Sequence, residues 1–181
     1  MPDVVDLIMQ DHREVERLFD ELKNNPEKRP LLTPVLSAVL TAHSRAEEDS
    51  VYPVARDEAG EQEEIQHSQE EHVEAETLLA KLIACDPTSA EYDTVLEKLV
   101  EGVTHHVEEE ESTVLPGMRR ALEDSRREEL GEAFAASRAK HLGELPGQAT
   151  KEELMAQAMN KGVSGASSMS KGELEKALHS S

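Results

Sequence analysis

Apolar residues recur at three- and four-residue intervals along most of the chain. This is the spacing of amphipathic helices and not the alternation of strands. It predicts a first helix over about Asp3 to Asn24, with Val5, Ile8, Met9, Val15, Phe19 and Leu22 along one side. "NNPEKRP" breaks the pattern. Thr33 followed by Pro34 has the form of an N-cap and first-turn pair, so a second helix is expected from there to about Val51. It should stop at Pro53, because proline has no N–H to donate and disfavours helix in the residue before it. A polar loop around "DEAGEQ" leads to a third helix, about Glu61 to Ala84. After the turn "CDPTS", Thr88 with Glu91 reads as a capping box opening a fourth helix, which runs to about Leu115 before Pro116-Gly117 kinks or ends it. A fifth, strongly charged helix is expected over about Ser125 to Lys140.

The periodicity lapses at "GELPGQA", residues 143–149, a stretch with the Gly and Pro content of a linker. Beyond it, Thr150 with Glu153 and Ser170 with Glu173 each form a capping box, so residues 150–181 read as two short helices joined by a Gly/Ser loop. The expected organisation is a helical bundle with a fifth helix over 1–142, a linker over 143–149 and a helix–loop–helix tail over 150–181.

Composition sharpens this to an all-α chain: aromatic residues are 2% of the whole and strand-formers are scarce. The formal net charge is -20, from 19 Lys and Arg against 39 Asp and Glu. Such a surface repels phosphate backbones and anionic membranes, so neither nucleic acid nor a membrane is expected as a partner. From residue 151 on, 4 Lys face 4 Glu, so the whole negative charge lies in the first 150 residues. The single Cys85 allows no intramolecular disulfide and suits a reducing cytoplasm. No signal peptide is visible, and "LLTPVLSAVLTA", the longest apolar-leaning stretch, is too short and too polar to span a bilayer.

The candidate chemistry lies in an internal repeat. "TAHSRAEEDSVYP" (41–53) and "THHVEEEESTVLP" (104–116) each set a His four residues before a Glu and ten before a Pro. "QDHREVERLFDEL" (10–22) aligns without gaps on "EEHVEAETLLAKL" (70–82), matching His12 to His72. Helices one and two therefore resemble helices three and four, and two such hairpins suit an up-down-up-down four-helix bundle. His12, His43, His72 and His106 all fall on core-facing stripes, and Glu47 and Glu110 share a face with the His four residues before them. Buried without partners, each such group would cost about 1–3 kcal/mol, and a shared cation removes that cost. The donors are nitrogen and oxygen with no thiolate. Six of them exceed the four a structural zinc needs and suit two irons bridged by Glu47 and Glu110. Ferritin-like bundles use Glu-x-x-His, with the opposite order and a spacing of three, and so fit less well.

At these residues the chain resembles the hemerythrin-like (HHE cation-binding) family, in its cytoplasmic, bacterial-type form. The resemblance rests on "DH" at 11–12, "HSRAEEDSVYP" and "HHVEEEESTVLP" and covers about residues 3–120. It implies a four-helix bundle around a non-haem di-iron site with an oxo or hydroxo bridge, with His12, His43, Glu47, His72, His106 and Glu110 as iron ligands. It departs from the oxygen-carrying hemerythrins, which have His-x-x-x-His in the third helix where this chain has His72-x-x-x-Glu76. In the fourth helix they have His-x-x-x-x-Asp, whereas here the carboxylates are Glu110 and, one further on, Glu111. A more anionic site favours ferric iron. That points to reaction with oxygen, hydrogen peroxide or nitric oxide, as in a catalase-like detoxifier, or else to a non-enzymatic iron or redox sensor, in preference to oxygen carriage. Glu76, Tyr52 and Glu111 are further ligand candidates, while His67, His105, His141 and His179 fall outside the repeat and are expected at the surface. Residues 150–181 are similar to the small N-terminal motif of Rho termination factors. With no Arg, no aromatic residue and no net positive charge, that tail is expected to serve as a protein-docking or oligomerisation appendage.

Overall fold

The computed structural model describes residues 1–180, and among them every regular element is helical. Helix α1 spans Val4–Asn24 and is capped by Asp3, whose carboxylate accepts the Val5 N–H at 2.9 Å. Helix α2 spans Arg29–Ala46. It begins four residues before the expected start, because Pro30 supplies the first-turn proline and Pro34 lies inside the helix. The carbonyl that Pro34 cannot satisfy belongs to Pro30, which is exposed to water. Thr33 does not cap; its hydroxyl lies 2.6 Å from the Tyr92 hydroxyl.

The second helix also fails to stop at Pro53. Glu47–Val51 form a π-helical turn in which the Tyr52 N–H reaches back five residues to the Glu47 carbonyl, and the chain continues as α3, Tyr52–Glu58. The wide turn restarts the hydrogen-bond register, so Pro53 falls in the first turn of α3, where its missing N–H is harmless. Helix α4 spans Gln62–Ala84 and α5 spans Ala90–Ser112. Ser89 caps α5, in place of Thr88, which Asp86 has captured through both its N–H and its hydroxyl. Helix α5 ends at Ser112, whose carbonyl Pro116 could not have bonded, and after Thr113 the chain resumes as α6, Val114–Ala121. Helix α7, Asp124–His141, matches expectation within a residue at each end. In the tail, α8 (Lys151–Asn160) and α9 (Lys171–Leu178) both open on the capping boxes read from sequence.

Helices α1, α2, α4 and α5 close into a ring: α1 packs on α2, α2 on α4, α4 on α5 and α5 on α1. The apolar stripes meet inside as two separate clusters. One gathers Ile8, Val51, Tyr52, Ile65, Met118 and Phe134, and the other Leu18, Phe19, Leu22, Leu36, Leu79 and Leu99. Met9, expected on the buried side, is 38% exposed, and Leu18 is buried in the core. Between the two clusters lies a polar layer of buried His and Glu. Helix α7 covers α1 and α2 and sends Leu130 and Phe134 into the first cluster. Gly131 permits that fit: a Cβ there would lie 2.1 Å from the Pro2 carbonyl oxygen. A third cluster, including Leu154, Ala158, Leu174 and Leu178, seats the tail against Val73 of α4. No helix among the described residues is long and apolar enough to cross a membrane.

Candidate metal centre

The polar layer brings together the six residues singled out by the repeat. His12 comes from α1, His43 from α2, Glu47 from the π turn, His72 from α4, and His106 and Glu110 from α5; none is more than 6% exposed. The Nε2 atoms of His43 and His72 each lie 3.3 Å from the same oxygen, Glu47 Oε2. Glu110 Oε2 stands between the other two, 3.2 Å from His12 Nε2 and 3.9 Å from His106 Nε2. Two triads, His12–His43–Glu47 and Glu47–His72–His106, therefore share one carboxylate, each with the mutual spacing of donors around a single ion. The Nε2 atoms of His72 and His106 face each other at 3.2 Å.

Protein groups alone leave this layer unsatisfied. His12 Nε2, Glu47 Oε1 and both Glu110 carboxylate oxygens are buried and make no hydrogen bond. Orphaned acceptors of this kind are costly in a low-dielectric interior, and cations would satisfy all of them at once. The electrostatics agree. Burial opposes a charge on His12, but Glu110, Glu47 and Glu111 outweigh it and raise its pKa to about 9. Against the same burial, Glu47 and Glu48 raise His72 to about 10. Glu110 is held below the usual carboxylate range, since His12, His106 and His43 overcome its burial. In the absence of metal, protons thus take the place of positive charge that the carboxylates demand.

The outer nitrogens carry a second pattern. His43 Nδ1 lies 3.3 Å from Asp11, His72 Nδ1 3.1 Å from Glu48, His106 Nδ1 2.8 Å from Glu71 and His12 Nδ1 2.8 Å from Glu111. A carboxylate on Nδ1 fixes the ring and leaves the Nε2 lone pair free to bind a metal, as is usual for metal-bound histidine. The four pairings run round the ring: α1 steadies α2, the π turn steadies α4, α4 steadies α5, and α5 steadies α1. Asp11, Glu48 and Glu71, which hold these outer nitrogens, are positions that the sequence reading does not single out. Each is the immediate chain neighbour of an inward-facing residue, and that adjacency was the available signal.

The Hemerythrin HHE cation binding domain family matches residues 3–118 of the chain. The chain belongs to that family. Over 149 residues it is also 34% identical to a protein of Nostoc sp. (strain PCC 7120 / SAG 25.82 / UTEX 2576) named DNA nickase. The match takes in 81% of this chain and 42% of that protein, so the chain spans less than half the relative's length. No solved structure matches.

Around this buried layer of the hemerythrin-like domain the remaining candidates separate. Tyr52 is fully buried, with its hydroxyl 2.9 Å from His72 Nε2 and 3.5 Å from Glu47 Oε2. Burial, then Glu47, Glu110 and Glu48, push its pKa well above the usual value, so it keeps its proton. Glu111 faces the outer nitrogen of His12, and Glu76 turns away from the centre to pair with Arg45 and to accept the Gly147 N–H at 2.7 Å. His141, expected at the surface, is only 1% exposed, because the linker and α8 cover it; it lies among Asp49, Glu144 and Glu153. His67, His105 and His179 are exposed as expected.

Proposed function

We propose that the buried layer holds two iron ions, with His12 and His43 serving one, His72 and His106 the other, and Glu47 and Glu110 shared between them. The family match supports cation binding, and the nitrogen–oxygen donor set without thiolate supports iron. We propose further that the protein reacts with oxygen, hydrogen peroxide or nitric oxide, and that catalase-like peroxide decomposition is its activity. The carrying observation is a narrow cavity of about 20 Å³ against all four imidazoles, walled by Val15, Leu40, Ala75, Val103 and Val107. It has room for about one water-sized molecule. Its apolar wall favours a small neutral ligand over an anion.

Bound iron would supply Lewis-acid and redox chemistry. The chain's own part is to hold the imidazole lone pairs inward through the four outer carboxylates, and to keep bulk water out with two apolar clusters. Tyr52 holds a proton at its hydroxyl beside His72 and Glu47 and would supply the buried layer with a neutral hydrogen-bond donor. We place the protein in the cytoplasm, on the ground of its single thiol.

Metal content by mass spectrometry, followed by oxygen evolution from peroxide, tests this reading. About two irons per chain and a turnover abolished in His72→Ala are expected. Zinc alone, or no metal after iron-replete growth, would defeat it.

A non-enzymatic sensor that signals through the tail is the second reading. What favours it is the contact of α8 with the centre's surroundings: the Gln157 side-chain amide donates to Glu48, and Asn160 donates to the Glu48 carbonyl and to Gln69. Iron-dependent protection of α8 without peroxide turnover would select it. The relative's name attaches DNA nicking to that protein. On this chain the net charge of -20 works against phosphate contacts. Relaxation of supercoiled plasmid by the iron-loaded chain, lost in His72→Ala, would overturn that judgement.

A further inference from the structure

His67 and Glu71 stand one turn apart on α4, and His105 and Glu109 one turn apart on α5. The two helices run antiparallel, so each imidazole meets the carboxylates of both. His67 Nε2 is 3.5 Å from Glu71 Oε1 and 3.1 Å from Glu109 Oε2; His105 Nε2 is 3.7 Å from Glu71 Oε1 and 3.2 Å from Glu109 Oε1. One donor atom from each of the four residues lies within 4.8 Å of every other. With metal–ligand bonds of about 2.0–2.2 Å, donors around a tetrahedral zinc stand about 3.3–3.6 Å apart. The two imidazole distances to Glu71 Oε1, 3.5 and 3.7 Å, lie close to that value, and Glu109 offers a different oxygen to each imidazole, at 3.1 and 3.2 Å.

We propose that these four residues form a second metal site, outside the buried centre, for a divalent ion of the zinc class. Two imidazole nitrogens and two carboxylate oxygens make a complete four-coordinate set for such an ion, whereas calcium or magnesium would ask for more oxygens. The site is open to solvent: the side chains of His67 and His105 are 54% and 59% exposed. It is also anchored. Glu71 is only 13% exposed, and its other oxygen, Oε2, lies 2.8 Å from His106 Nδ1. One carboxylate therefore serves both sites, with Oε1 toward the surface pair and Oε2 steadying a histidine of the buried layer.

The test is zinc titration of the full chain by calorimetry, with iron and zinc counted per chain before and after by mass spectrometry. Counting both metals separates failure of this site from failure of the di-iron reading, on which it does not depend. One zinc per chain is expected beyond the buried metal, with iron retained. His67→Ala and His105→Ala should each weaken binding at least about tenfold, the smallest loss seen when even a supporting partner of a ligand is removed. The double variant should show no such binding. Both side chains are mostly in water, and unchanged far-UV circular dichroism will show that the fold is intact. Glu109→Gln, at the exposed edge, gives a second and independent loss. Zinc bound with undiminished affinity by the double variant, or no zinc beyond the buried centre in the native chain, overturns the proposal.

Discussion

His12, His43, His72 and His106 were legible in the sequence because a repeated His-x-x-x-Glu and a matched His in the gapless alignment are patterns a single chain displays by itself. Their supports were not, because Asp11 serves His43 of another helix, and helix adjacency is a property of the assembled ring. Asp11→Asn keeps the shape and removes the charge that orients His43, so metal affinity should fall about 10–100-fold with the helical content unchanged; competition against a chelator measures it. The raised pKa values of His12 and His72 carry a second consequence. A His whose folded pKa lies above its unfolded value, near 6.5, stabilises fully below that value and loses its contribution as pH rises through the folded one. Glu48, depressed to about 2, acts in the opposite sense: its contribution is present above about 4.5 and lost toward 2. The metal-free protein should therefore be most stable between about pH 4.5 and 6.5, and its melting temperature should drop as pH rises from about 6.5 to 10. Metal affinity should move the other way over the same range, because binding must displace those protons.

At the scale of elements, the periodicity located every bundle helix, and the errors gathered at proline and at caps. Local sequence makes Pro34 and Pro53 a boundary each, yet one sits inside α2 and the other in the first turn of α3. What local sequence does not encode is whether water can satisfy the freed carbonyl, as at Pro30, or whether a π turn resets the register, as at Glu47–Val51. The start of α5 shows the same competition among neighbours: Asp86 engages Thr88 and leaves Ser89 to cap. Ser89→Ala should cost about 1 kcal/mol in urea denaturation through the lost cap. Thr88→Ala should cost less, since it removes only an exposed turn contact.

Across the whole molecule, the tail is part of the structure around the centre. Glu48 is a buried junction: it receives Arg45, His72 Nδ1, the Gln69 amide and, from α8, the Gln157 amide. Gln157→Leu removes one donor to a fully buried carboxylate and so lowers stability by about 1–3 kcal/mol. It should also loosen α8 first, which hydrogen exchange would register as faster exchange in 151–160 than in α1 or α5. Sequence could place the tail's helices but not this docking, because Gln157 and Glu48 lie 109 positions apart.

The ring of outer carboxylates has a further property. Asp11 on His43 and Glu71 on His106 are contacts within a hairpin, and Glu48 on His72 and Glu111 on His12 are contacts between hairpins. The gapless alignment pairs Asp11 with Glu71, and the His-x-x-x-Glu repeat pairs Glu48 with Glu111. Every inward histidine, shared carboxylate and outer support thus has a counterpart in the other half. The centre has the symmetry of a homodimer written into one chain: two copies of a single helical hairpin, related by a two-fold axis through the polar layer, would furnish every one of these groups.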